Sequence, residues 1–218
     1  MADNPLFDPE SPIMRPASFH RGENCTDVAI ALIAGGGCRA VSAGALSGRL
    51  GVTPAAVLKW FGSTAVMWEE IAAAIGRRWY SYLDARLADL EVFQAVALFL
   101  PHDQHEIEWT RVWLSMLEHG RHHELVGRRL ARWEAQELEI LHRATTCRDA
   151  PTLTATMVVV RGLRQMVAAT HEPLGLDTAH TLLRRHVQRA YVDRGIPEPA
   201  AEADVLPSTR RFVFLPPT

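Results

Sequence analysis

The sequence predicts an all-α fold, and three observations carry that reading. Apolar residues recur three and four apart from Asn24 to about residue 193, the period of one helix face. The runs are broken by helix punctuation at Gly35-Gly36-Gly37, Gly51, Gly62, Pro101, Gly120, Asp149-Ala150-Pro151 and Pro173-Leu174-Gly175. No stretch alternates with period two long enough to build a sheet. The one β-branched triplet, Val158-Val159-Val160, lies inside a helical pattern.

Residues 1–20 are rich in Pro and polar residues, lack apolar periodicity, and read as a flexible arm. Val28, Leu32 and Ile33 mark a first helix that the glycine run stops. Ser42 can cap a short second helix with Ala45, Leu46 and Leu50 on its inner face, closed by Gly51. Thr53-Pro54 sets an N-cap before a proline at the first helical position, opening a third helix that ends near Phe61-Gly62. Ser63 or Thr64 starts a long helix through about Leu90, with Val66, Met67, Ile71, Ala74, Ile75, Trp79 and Leu83 inward. Further helical segments fall near 92–100, 105–119, 122–145, 152–170 and 177–193, and residues 196–218 form a Pro-rich tail. The expected organisation is an arm (1–20), a three-helix domain (21–66), a larger helical domain (67–195) and the tail.

Two short helices joined by a tight turn, after a longer first helix, match the helix-turn-helix pattern. Gly51 relieves the backbone at the turn, Val52 plugs the space between the helices, and Thr53 satisfies free N–H groups of the next helix. Val57 and Phe61, four apart, anchor that helix inward. Ala55, Ala56, Leu58 and Lys59 are left outward, where small residues let a helix sink into a major groove. Three ordinary packed helices would share much of this pattern.

The stretch from Asp27 to Met67 resembles the DNA-binding domain of the tetracycline-repressor (TetR) family, most closely over Ala45–Val57 and Phe61-Gly62-Ser63. The resemblance implies a DNA operator as partner, contacted from Ser42, Thr53, Pro54, Ala55, Ala56, Leu58, Lys59, Trp60 and Thr64. It also implies a homodimer through residues 152–170 and 177–193, and a small-molecule effector bound among the middle helices. Thr152, Thr154, Ala155, Thr156, Val159, Gly162, Leu163 and Met166 give the penultimate helix a small, apolar side that suits close approach of another helix, from a second copy or within the chain. The chain departs from the family where Leu58 replaces a usual Tyr and Trp60 a common His or Tyr. Gly44 stands at a frequent Arg, and Thr64 at a frequent phosphate-contacting Lys. Each departure removes a polar contact to the DNA backbone.

The 218 residues hold 23 Lys+Arg against 25 Asp+Glu, which excludes a protein that coats nucleic acid through bulk positive charge. Mapped along the chain, residues 11–66 carry five bases and two acids, a local +3, while residues 1–10 carry −3 and residues 67–218 carry −2. Lys59 is the only lysine. Three widely spaced cysteines without a CxxC argue against a disulfide framework or zinc knuckle. The N-terminus lacks the apolar core of a signal peptide, and no apolar run approaches the roughly 20 residues of a membrane span. A soluble cytoplasmic protein is expected.

In the larger domain, Trp109, Trp113, Met116 and Leu117 form an apolar stripe on one helix, with Phe93, Phe99 and Trp133 adding bulk. Such a stripe is core by default. Under the family resemblance, Phe93, Trp109, Trp113, Met116 and Trp133 are the candidate lining of a pocket for an apolar or aromatic effector. Nine of ten histidines follow residue 100, and His102/His105 and His119/His122/His123 have helical ligand spacing. Both clusters sit beside helix breakers, so solvated histidines are expected, with no metal and no cofactor. No HExxH, GxSxG or P-loop occurs, and no catalytic residues are expected. The expectation is a ligand-responsive regulator of the TetR type, acting as a repressor. A helical sensor with a degenerate DNA-binding head is the alternative.

Overall fold

The computed structural model describes residues 19–191 apart from 88, 89, 146 and 148, with side chains described from Cys25 onward. Among the described residues there are nine α-helices and no strand: α1 (Phe19–Gly36), α2 (Ala43–Leu50), α3 (Pro54–Phe61), α4 (Thr64–Asp84), α5 (Val92–Ala97), α6 (Gln104–Gly120), α7 (Glu124–Thr145), α8 (Ala150–Val167) and α9 (Leu176–Tyr191). A 3-10 turn over Cys38–Ala40 links α1 to α2. The expected tail and most of the expected arm lie outside the described residues. The last two arm positions already belong to α1, because the helix begins five residues before the periodic signal.

The first three helices and the start of α4 enclose a small core of Ala29, Ile30, Ile33, Leu46, Val57, Met67 and Ile71, each at most 1% exposed. A fully buried aliphatic side chain contributes about 1.5–3 kcal/mol, to be set against the entropy of ordering the chain. The inward face of α1 is Cys25, Ala29, Ile30 and Ile33. Val28 and Leu32 are only half-buried at its margin, a correction to the phase read from sequence.

Helix α4 leaves this head and runs into the larger bundle, ending at Asp84 rather than near Leu90. Tyr82 and Leu83 are its last buried residues, Asp84 and Ala85 are exposed, and Leu87 packs half-buried against the core beyond the helix end. Helix α5 likewise stops at Ala97. Residues 98–101 are buried in tight turns, because Pro101 disfavours helix at the residue before it. In the bundle α7 packs on α4, α5 and α6, and α8 packs on α9 and more lightly on α6 and α7.

Side-chain caps set the helix starts: Ser42, Thr53, Ser63, Asp103 and Asp149 each accept a backbone N–H from the first turn of α2, α3, α4, α6 and α8. Gly51 lies in the left-handed region (φ 66°, ψ 31°), where a side chain would be strained. Among the described residues no helix is long and apolar enough to cross a membrane.

Two expectations about exposure need correction. On α8, Thr152, Thr156 and Leu163 turn into the bundle, whereas Thr154, Ala155, Gly162 and Met166 face out together with Val158. Among the histidines, His122 and His123 are exposed, but His119 is tucked between Trp68 and His123, with both ring-centroid distances 3.9 Å. His102 packs against His180, with ring centroids 4.8 Å apart and the planes tilted by 32°. Among the described residues no three His, Cys, Asp or Glu side chains gather as metal ligands.

Candidate nucleic-acid interface and helical core

The turn between α2 and α3 is built as its residues demand. Ser42 Oγ accepts the Ala45 N–H at 3.0 Å, and Thr53 Oγ1 accepts the Ala56 N–H at 3.2 Å. Pro54 follows at the first helical position, where a missing N–H costs nothing. The helix ends at Gly62 (φ 76°), whose N–H donates to Leu58 O at 2.7 Å, and Ser63 then caps α4. Val57 is completely buried. Its position fixes the opposite face of α3, with Pro54, Ala55, Leu58 and Lys59, toward solvent.

The head is tied to the bundle at several points. Cys38 Sγ donates to Ser115 O of α6 at 3.3 Å and touches Met116 Sδ at 3.6 Å. Trp68 of α4 packs on His119, and Arg78 of α4 forms an ion pair with Asp27 of α1. Burial pushes the Cys25 and Cys38 thiols up to about 11, so both stay protonated at neutral pH and act as packing groups.

No family model matches the sequence, and no curated protein matches it significantly. The whole architecture does match solved structures. One is a protein from Rhodococcus sp. assigned to the TetR family of transcriptional regulators (TM-score 0.67, 16% identity, covering 78% of this chain and 98% of that one). Another is a transcriptional regulator from Rhodococcus sp. Rha1 (TM-score 0.67, 15% identity, 79% and 96% covered). The chain has the TetR-family fold.

Within this TetR-type head, the candidate contact residues separate into two groups. Ser42, Thr53, Pro54, Ala55, Leu58, Lys59 and Thr64 are exposed on one side of α2 and α3 and at the start of α4. The Ser42 and Thr53 oxygens are already engaged as helix caps. Ala56 and Trp60 are half-buried, and Trp60 packs against the core, which corrects the outward placement of Ala56. Arg39 and Arg49 are exposed in the head and add to Lys59. Gly44 is exposed as well, and a Cβ there would meet only Ser42 Oγ, at 3.8 Å.

The five pocket candidates are all buried, but they do not form one lining. Trp109 and Trp113 border a small cavity with Trp79, Thr110 and Arg164, with room for about one water-sized molecule. Trp133 stacks on Trp113 at 4.4 Å from behind. Met116 lies a turn further along α6 against Cys38, and Phe93 sits apart under Arg184 of α9 at 4.3 Å.

The polar centre beside this cavity was not anticipated from the sequence. Glu137 is 1% exposed, and its Oε1 accepts from Trp79 Nε1 at 3.1 Å and from Arg164 Nη1 at 2.9 Å. Arg164 Nε donates to Phe99 O, and its guanidinium lies 4.8 Å from the Trp79 ring and 5.8 Å from Trp113. Buried charges survive only when paired in this way. The signal was present in the helix phase. Arg164 follows Val160 by four, and Glu137 follows Trp133 by four, so both stand on inward faces.

Proposed function

We propose that the protein is a homodimeric DNA-binding transcriptional regulator, a repressor released from its operator by a small apolar or aromatic effector. The observation that carries the reading is the solvent-facing side of α3. A helix capped at Thr53 and anchored by Val57 presents small residues and Lys59 at the surface of a head with three exposed cations. That is what insertion into a major groove requires.

The dimer is proposed through residues 152–170 and 177–193. Val158 is 63% exposed and Met166 51%, and Leu182 of α9 adds a further exposed apolar side chain. Gly162 lies between the first two with open space where a side chain would begin, so a second copy of α8 can approach closely there. Two heads held this way would address two half-sites.

For effector control, the cavity beside Arg164 takes a ring only if an indole moves aside. Trp79 belongs to α4, and Trp133 bears on it, so displacing that wall would tilt the helix that begins in the head. Release then follows from the effector's preference for the displaced state.

Gel-shift titration against the DNA flanking its own gene tests the reading. Sequence-selective binding at low salt, weakened in Lys59→Ala, is expected; no selective shift would overturn it. Val158→Glu should give monomers in sedimentation without lowering the helical content. The second reading, a sensor with a degenerate head, draws on Gly44, Leu58 and Thr64, which are exposed and offer DNA no charge. It predicts ligand-dependent thermal stabilisation with no salt-dependent DNA affinity.

A further inference from the structure

Helix α3 is nearly bare of hydrogen-bonding side chains where it faces outward. Its sequence is Pro54-Ala55-Ala56-Val57-Leu58-Lys59-Trp60-Phe61. Val57 is buried, and Trp60 and Phe61 pack half-buried against the head, leaving Pro54, Ala55, Leu58 and Lys59 on the surface. The Thr53 hydroxyl before them is engaged with the Ala56 N–H. Leu58 is 38% exposed, among the large apolar side chains that the fold leaves in the open. Ala55 and Pro54, three and four residues earlier, extend the same apolar surface.

The chemistry of the major groove limits what such a face can read. Adenine is bonded by Asn or Gln, cytosine by Asp or Glu, and guanine by Arg or Lys, while the one apolar feature is the thymine 5-methyl group. Helix α3 contains no Asn, Gln, Asp, Glu or Arg. Its side chains therefore have no means of recognising adenine or cytosine edges directly. Lys59 can address guanine, and everything else on the face can address only a methyl group.

We infer that Leu58 is a specificity-determining residue that seats on a thymine methyl, with Lys59 reading a guanine in the same half-site. This rests on the DNA-binding reading proposed above and names the base chemistry it would use. Covering the methyl removes apolar surface from water on both partners, so the gain scales with a single buried methyl group.

The test uses the full-length protein and a duplex site selected from a random pool. Each thymine is replaced in turn by deoxyuridine, which pairs identically, keeps the O4 acceptor and lacks only the methyl. The expected result is about fourfold weaker binding at one thymine in each half-site, the value of one buried methyl. Leu58→Ala should bind the thymine and uracil duplexes equally, whereas Lys59→Ala should weaken both and keep the difference between them. Leu58 lies outside the buried core, so the substitution should leave the helical content and a cooperative melting transition in place. A selected site at which no thymine responds, or a Leu58→Ala protein that still discriminates, overturns this inference and leaves DNA binding standing. Selection of no site at all overturns both.

Discussion

The indole of Trp133 occupies the space where a side chain on Gly76 would begin. A Cβ on Gly76 would stand 2.3 Å from Trp133 Nε1 and 2.8 Å from its Cε2. Helices α4 and α7 approach this closely only because residue 76 has no side chain. Trp133 is held from the other side by its stack on Trp113 at 4.4 Å, and its carbonyl accepts the Tyr80 hydroxyl at 3.1 Å. The ring has nowhere to retreat. Gly76→Ala is therefore expected to destabilise the protein by about 1–3 kcal/mol despite the better helix propensity of Ala. Thermal unfolding would show it as a drop of several degrees. An unchanged melting temperature would mean that α4 and α7 sit further apart.

The Glu137–Arg164 pair predicts a non-additive double mutant. Arg164→Met leaves a carboxylate that is 1% exposed without its closest cation, with Arg161 Nη2 3.6 Å from its other oxygen. A loss of about 3–5 kcal/mol is expected for breaking a buried pair from one side. Arg164→Met combined with Glu137→Gln should recover a substantial part of that loss, because no buried charge then lacks a partner. Urea titrations of the four proteins in the cycle supply the coupling energy. Simple additivity would show that the pair does not act as a unit.

Gly44 offers a gain-of-function test of the DNA reading. Its Cβ would meet only Ser42 Oγ at 3.8 Å, and the residue is exposed on α2, the helix that precedes α3. Gly44→Arg should leave stability nearly unchanged, since residue 44 is exposed in the first turn of α2, where the relief of replacing glycine is set against a cation at the helix N-terminus. It should also tighten binding to the selected site and steepen its salt dependence. One added phosphate contact per subunit raises the slope of log affinity against log salt by about 2 for a dimer. A slope that stays the same places residue 44 away from the backbone.

Acid should weaken the fold through His102. Burial, reinforced by the nearby charge of His180, pushes His102 down to about 4. The folded state therefore keeps it neutral while the unfolded chain protonates near 6.5. Stability is fully present above the unfolded value and is lost as pH falls through the window from about 6.5 toward 4. The other groups around it are Asp103, which favours its protonation, Arg86, which opposes it, and Glu106, whose carboxylate accepts the His102 backbone N–H at 2.8 Å. Glu106 itself is raised by burial and works in the opposite direction on acidification. His102→Gln should therefore lose less stability than wild type between pH 7 and 5 in paired urea titrations. Equal losses would mean that His102 protonates freely in the native fold.

Much of the head was legible before its structure, and for a local reason. Caps, turn glycines and N1 proline act within four residues, so Ser42, Gly51, Thr53-Pro54 and Gly62 specify both short helices and the turn without distant help. The bundle was legible only as helices. Its ends shifted, with α4 closing at Asp84, because no glycine or proline marks that end in the sequence.

Sequence alone determined the helical class, the order of the elements and the helix-turn-helix, all of which follow from spacing along one chain. It could not determine that Trp109, Trp113 and Trp133 share a cluster while Phe93 stands apart, nor that Arg164 and Glu137 meet in the core. The Arg164 contacts reach 27 positions to Glu137 and 65 to Phe99 O. Only tertiary packing decided them, because burial selects partners by proximity across helices, and periodicity reports which face is inward without saying what it will touch.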